Sequence, residues 1–382
     1  MHLPSRTLPS HLRSLCLALL LAAALWAPSP AQAQAQTPAP RLSDYVRPFV
    51  GTQGEGNTFP GPSAPFGMVQ LSPDTDTKDW NTDSGYEYTD PTILGFSLTH
   101  LSGTGCPDLG DFLFVPQVGP PALVPGTKDH PEDGYQSTFS HDEESAGVGY
   151  YKVKLKKSGV TTELTAGERA GLLRFTFPAS DAATILTDMA HMIDGKRFRV
   201  AESRLRIEDE STVTGFHLVN GWGKERYLYF AARFSRPFDE ATILKEGEPV
   251  VYHSYVNYRF RSRREAFAPK LQLLTRFKTH ADETIQVKVA VSAVSAANAL
   301  QNLDAEIPGW DFEQVREATR ARWDAELAKL QMEGTPDQKA TWYTSLYHAF
   351  LVPNLYQDVN GEYRGFDQNI HRVREGTHYT LF

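Results

Sequence analysis

Cysteine is almost missing from this 382-residue chain, which has only Cys16 and Cys106. Cys16 lies in a stretch that reads as a cleavable leader, so one thiol is left and no intrachain disulfide can form. Stability must then come from burial. Long apolar runs are missing too. The most apolar segment, residues 15–26, is too short to span a bilayer. It follows the basic residues Arg6, His11 and Arg13 and precedes Ala31-Gln32-Ala33, a small-residue cleavage pattern. A signal peptide over 1–33 is therefore expected, with export to a periplasm or the exterior and no membrane attachment after cleavage. The third absence is an excess of base. Lys and Arg number 38 against 46 Asp and Glu, a net charge of −8, which argues against nucleic acid as a partner.

With 41% hydrophobic residues, the chain can bury the core of one large or two ordinary domains. Residues 34–42 are a low-complexity spacer. From Asp44 to about Ser292 the pattern is that of strands. Tyr150, Val153 and Leu155 belong to one alternating run, and the segments 172–177, 227–234 and 283–291 read similarly. Clusters such as Lys157-Ser158-Gly159, Pro178-Ala179-Ser180-Asp181 and Asn220-Gly221-Trp222-Gly223 separate them as turns. So many strands with such frequent turns predict a large antiparallel β-sandwich. Residues 259–265, with four arginines, read as an exposed edge or turn.

After Ala293 the period changes. Asp311 can cap a helix on which Val315, Ala318, Arg322, Trp323, Leu327 and Leu330 recur, and Gly334 is expected to end it. Thr335-Pro336-Asp337-Gln338 is a capping box with Pro at the first helical position, opening a second helix that Pro353 stops. One helical hairpin cannot bury its own apolar faces. Trp342, Tyr343, Tyr347 and Phe350 therefore need partners: either the helices pack back on the sandwich, or the chain is a fragment.

The most informative stretch is 48–111. It contains Pro48-Phe49-Val50-Gly51-Thr52, Asn57-Thr58-Phe59-Pro60-Gly61 and Pro65-Phe66-Gly67-Met68-Val69-Gln70-Leu71-Ser72-Pro73-Asp74. It continues with Ser84-Gly85-Tyr86-Glu87-Tyr88 and closes with Thr99-His100-Leu101-Ser102-Gly103-Thr104-Gly105-Cys106-Pro107-Asp108-Leu109-Gly110-Asp111. Stiff Gly/Pro loops carrying aromatics and hydroxyls suit ring-shaped polar ligands. As a block, with echoes at 341–353 and in Tyr363-Arg364-Gly365-Phe366-Asp367, it resembles the exo-acting α-mannosidases of glycoside hydrolase family 92.

The resemblance implies a mainly β fold: a large antiparallel sandwich (supersandwich) over 43–293, a helical linker over 294–335 and the start of an (α/α)6 barrel over 336–382. The active site would lie where the two domains meet. It implies hydrolysis of terminal α-mannosidic linkages (α-1,2-mannosidase-like) in mannose-containing glycans, with inversion and with Ca2+. Inversion needs a protonated carboxyl and a water-activating carboxylate roughly 6.5–9.5 Å apart. In the family, these acids and the calcium ligands come from the barrel. The expectation is thus a truncated mannosidase with no catalytic or metal-binding residue in this chain, and no activity of its own. Asp367 and Glu375 read as solvated loop residues. Two other functions compete. One is a stand-alone carbohydrate-binding or structural sandwich. The other is a mutarotase-like epimerase, which would need a Glu/His pair on strands.

Candidate sugar-contacting residues are Trp80, Phe59, Tyr86, His100, Ser102, Thr104 and Asp108. Trp80 sits where the family places an aromatic near the leaving-group sugar, and an aromatic face can cover the apolar face of a pyranose. Phe59 can equally be core. Asp108 and Asp111 can bond backbone amides of the Gly-rich turn, and His100 can be a satisfied strand residue. Glu55, Asn57 and Glu87 stand where the family shows histidines. No standard metal spacing is present here, and Cys106 has no identifiable base.

Overall fold

The computed structural model describes residues 40–75, 82–195, 198–250 and 264–380. The leader, most of the spacer, Trp80 and nearly all of the arginine-rich segment lie outside them. Glu265–Phe267, at the end of that segment, is an edge strand.

Two antiparallel sheets face each other. The first has eight strands among the described residues. It runs from Ser72–Thr75 through Thr92–Ser97, Leu113–Val118, Ser180–Asp188 and Leu271–Thr279 to Glu240–Lys245 and Glu248–Pro249, with Ser137–Thr138 paired off the path. The second has nine and is centred on Thr212–Asn220, Arg226–Phe234, Glu283–Ser292 and Ala170–Phe177. The register is fixed by pairs such as Phe230 with Val291 and Ile285 with Phe175. Because side chains alternate across a strand, one set of residues meets between the sheets. Phe96, Phe114, Phe175, Phe230, Ile185 and Leu273 are buried there.

The middle of the outer face of the second sheet is also buried, which strand alternation alone would not require. Helix α1 (Ala296–Glu306), absent from the sequence expectation as a separate element, lies against it. The small residues Ala170, Ala231 and Ala290 let Ala299 and Leu303 approach closely. Ser295 caps α1 by accepting from the Asn298 amide.

Helix α2 (Phe312–Leu327) is capped by Asp311 as expected, but it ends well before Gly334. Its buried stripe is Phe312, Thr319, Trp323 and Leu327, whereas Ala318, Arg322 and Leu330 face out. A helix continued past Leu327 would bury nothing. Helix α3 (Pro336–Ala349) begins with the full capping box. Tyr343 and Tyr347 do not lack partners. They form a second core with Val46, Phe59, Val148, Trp323, Leu327 and Leu351, contributed by segments far apart in sequence. The Trp323 and Tyr347 rings lie 4.4 Å apart, and the Trp323 indole N–H donates to the Ser63 carbonyl at 2.7 Å. Burying an aromatic of this size stabilises by about 1.5–3 kcal/mol, so this core fixes the helical pair on the N-terminal segment. Trp342 remains 38% exposed, with its indole N–H on the Leu330 carbonyl.

Candidate carbohydrate-binding site

The Gly-rich turn after His100 directs its carboxylates inward. Asp111 is fully buried. One oxygen accepts from His217 Nε2 at 2.7 Å and Arg226 Nη2 at 2.8 Å, and the other from Arg226 Nη1 at 2.8 Å. Burial pushes its carboxyl up, but Arg226 and His217 more than reverse this and hold it below the usual carboxylate range. Asp108, also buried, accepts from the amides of Leu109 at 2.8 Å and Trp222 at 2.9 Å. Upstream, Asp74 takes His100 Nε2 on one oxygen at 2.8 Å and His191 Nε2 on the other at 2.9 Å. Burial again works to raise this carboxyl, and the two imidazoles outweigh it and lower it. The other nitrogens of His100 and His217 face the carbonyls of Gln70 and Met189. In both imidazoles each nitrogen therefore meets an acceptor. Such saturated groups are braces, not proton shuttles.

What they brace is a loop. Residues 223–227, held by Asp108 and Asp111, form one wall of a cleft of about 650 Å³, within the range of small-ligand sites. The opposite wall is the hairpin of Glu362–Arg364 and Ile370–Arg372 with its flanks. The cleft presents Tyr227, Tyr356, Tyr363 and Phe366 with Arg226 and Arg364. Tyr363 stacks on His378 at 3.9 Å, and the Arg364 guanidinium lies 4.8 Å over the Tyr227 ring while donating to the Ala293 carbonyl. Behind this wall Asp358 accepts from Ser292, Asn298 and Asn302, locking the C-terminal segment to α1 and the sheet. Aromatic faces with a few fixed polar groups are what a pyranose requires, since its rings are apolar on the C–H faces and polar at the rim.

A smaller cleft of about 310 Å³, lined by Asp74, Asp188, His191 and Lys270 with Leu94, Met192 and Ile193, lies elsewhere on the sheets. Both oxygens of its Asp74 are already taken by imidazoles.

The candidates from sequence fall into three groups. Phe59 and Tyr86 are corrected. Phe59 is fully buried in the second core, and Tyr86 is 1% exposed with its hydroxyl donating to Glu144, so neither offers a face to a sugar. His100 is likewise buried and spent on Asp74 and Gln70. Asp108 and Asp111 act from beneath the site. Asp111 bonds side chains, not the turn amides expected of it, because His217 and Arg226, from the paired strands Thr212–Asn220 and Arg226–Phe234, both reach it. Ser102 and Thr104 are half-buried in the turn itself, outside the cleft wall. Trp80 is not among the described residues. Cys106 is buried and its thiol is pushed up to about 11 by burial and by Asp108, the wrong direction for a nucleophile. The cleft aromatics escaped sequence reading because they come from strands and a hairpin more than a hundred residues apart. The only signal was the Tyr363-Arg364-Gly365-Phe366-Asp367 echo.

Calcium finds no donor set here. Asp74, Asp108 and Asp111 are occupied by N–H donors, and among the described residues no three His, Cys, Asp or Glu side chains converge as metal ligands would.

Residues 45–292 match the glycosyl hydrolase family 92 N-terminal domain, and residues 298–382 match the glycosyl hydrolase family 92 catalytic domain. A family GH92 α-mannosidase from Bacteroides thetaiotaomicron superposes with a TM-score of 0.85 at 46% identity, over 89% of this chain and 45% of that one. That mannosidase has also been solved in complex with mannoimidazole. A family GH92 inverting mannosidase from Bacteroides thetaiotaomicron VPI-5482 gives a TM-score of 0.74 at 25% identity, over 91% of this chain and 44% of that one. A protein described as an uncharacterized secreted glycosidase from Arthroderma benhamiae is 28% identical over 344 residues, covering 83% of this chain and 42% of its own length. The chain thus spans less than half the length of the relatives it matches.

Proposed function

Because the chain belongs to glycosyl hydrolase family 92, we propose that its fold supplies a carbohydrate-holding wall of an exported α-mannosidase. That enzyme would release terminal α-mannosyl residues from mannose-containing glycans, such as N-glycans, with inversion and calcium dependence. The observation that carries this reading is the aromatic cleft between the 223–227 loop and the C-terminal hairpin. Support for the mannose preference comes from the mannoimidazole complex of the Bacteroides relative. The leader-like N-terminus, and the secreted relative, support export.

We propose further that the acid and base are not among the described residues. The carboxylates on the cleft wall are Glu225 and Asp367. A proton donor needs a raised pKa, and Asp367 goes the other way. Hydrogen bonds from Asn369, and then His371, hold it down to about 2.

The test is binding and turnover by the purified chain. Methyl α-mannoside should bind saturably by calorimetry, and an aryl α-mannoside should not be cleaved with or without calcium. Cleavage would overturn the assignment of the acid and base. Failure of any mannoside to bind would overturn the sugar-wall reading itself. Carbohydrate binding without catalysis in any assembly is the second reading, favoured by the depressed Asp367. It stands if a polypeptide of the relatives' full length also fails to cleave.

A further inference from the structure

Trp222 is exposed where burial would be worth most. Its side chain is 59% accessible, and among the described residues no ring stacks on it. Leaving an indole in water is unfavourable by the apolar area that stays wet, and a mobile loop could fold it away. This loop does not. The amides of Trp222 and Gly223 both point at Asp108 Oδ2, at 2.9 and 3.4 Å, and that carboxylate is itself buried, 3.7 Å from the Arg226 guanidinium. Gly221 makes the approach possible, since a Cβ there would stand 2.5 Å from an Asp108 oxygen. At the far end Glu225 takes a left-handed conformation, with φ of 53°, and turns the chain back into the strand. The indole is therefore held out by a clamp with a buried anchor. The five residues that follow it, Gly223 to Tyr227, all line the aromatic cleft.

We propose that Trp222 is an aromatic platform for a second sugar ring, one residue beyond the pyranose in the cleft. The preferred ligand is then an α-linked mannose disaccharide or longer glycan, not a monosaccharide. This rests on the reading of the cleft as a mannose site. A rigid aromatic gives up little conformational entropy on binding, which is why a pinned loop suits the task and a flexible one does not. Among the described residues nothing stacks on the indole or accepts from its N–H, so its face can cover the C–H face of a pyranose and its edge can meet a hydroxyl.

The experiment is calorimetric titration of the full chain with methyl α-mannoside and with α-1,2-mannobiose, for wild type, Trp222→Ala and Trp222→Phe. Wild type should prefer the disaccharide. Trp222→Ala should weaken disaccharide binding about ten-fold while changing monosaccharide binding less than about two-fold, and Trp222→Phe should recover most of the loss. An unchanged disaccharide preference in Trp222→Ala would overturn the platform, as would equal weakening of both ligands, which marks a purely structural tryptophan. Absence of binding to either ligand by wild type is a separate outcome, and it removes the cleft reading together with the platform.

Discussion

Taking the charge from Asp111 leaves the buried Arg226 guanidinium beside a neutral amide, with the more distant Asp108 carboxylate, 3.7 Å away, as its remaining counter-charge. A buried ion pair broken on one side costs far more than the pair contributes, on the order of 3–5 kcal/mol. Asp111→Asn is therefore expected to lower the unfolding free energy by that amount, moving the urea midpoint down in proportion, and to loosen the 223–227 wall. Circular dichroism during urea unfolding checks it, and a loss under about 1 kcal/mol would mean that Arg226 finds another partner or water. The sequence offered Asp108 as a sugar contact and gave both Asp108 and Asp111 a plainer use, bonding backbone amides of the Gly-rich turn. It could not say that they face inward. That depends on His217 and Arg226, which arrive from two paired strands, Thr212–Asn220 and Arg226–Phe234, a hundred residues downstream.

Helix α3 belongs to a different class of legibility. Its start is written locally: the Thr335 hydroxyl accepts from the Gln338 amide, and the Gln338 side chain accepts from the Thr335 amide at 2.9 Å. Thr335→Ala should cost about 1 kcal/mol and lower the thermal midpoint without altering mannoside binding; altered binding would mean that the helix reaches the cleft. Helix α1 was missed for the opposite reason. Its inward stripe includes Asn298 and Asn302, which look like surface residues until Asp358, some sixty positions away, is placed between them. Polar residues facing a buried carboxylate do not register as an apolar period. The early end of α2 has a similar cause, because Leu330 extends the pattern in sequence but finds nothing to pack on in space.

At the scale of the whole molecule, Asp74 and Asp111 tie stability to pH. Both carboxyls titrate lower in the fold than the ordinary value of about 3.9, so their contribution is complete above that value and is lost as pH falls through and below it. Asp358 and Glu306, raised by burial, carry the opposite sign and offset part of the loss. Between about pH 4 and pH 2 the urea midpoint of wild type should drop, and the drop should be smaller in Asp111→Asn. A wild-type midpoint that rises on acidification would contradict the arrangement. The two cores also behave as parts of one structure. The second joins residues 46–59 to α2 and α3, so shortening the chain from its N-terminal side past Val46 would uncover Trp323 and Tyr347.

By itself the sequence determined the sandwich, the capped helices and the family, because alternation, turn chemistry and capping are carried by residues a few positions apart. The tertiary structure alone decided which acids are braces, which aromatics face a ligand and where the helical pair finds cover. Those outcomes depend on side chains brought together across a hundred residues or more, and local spacing holds no record of them.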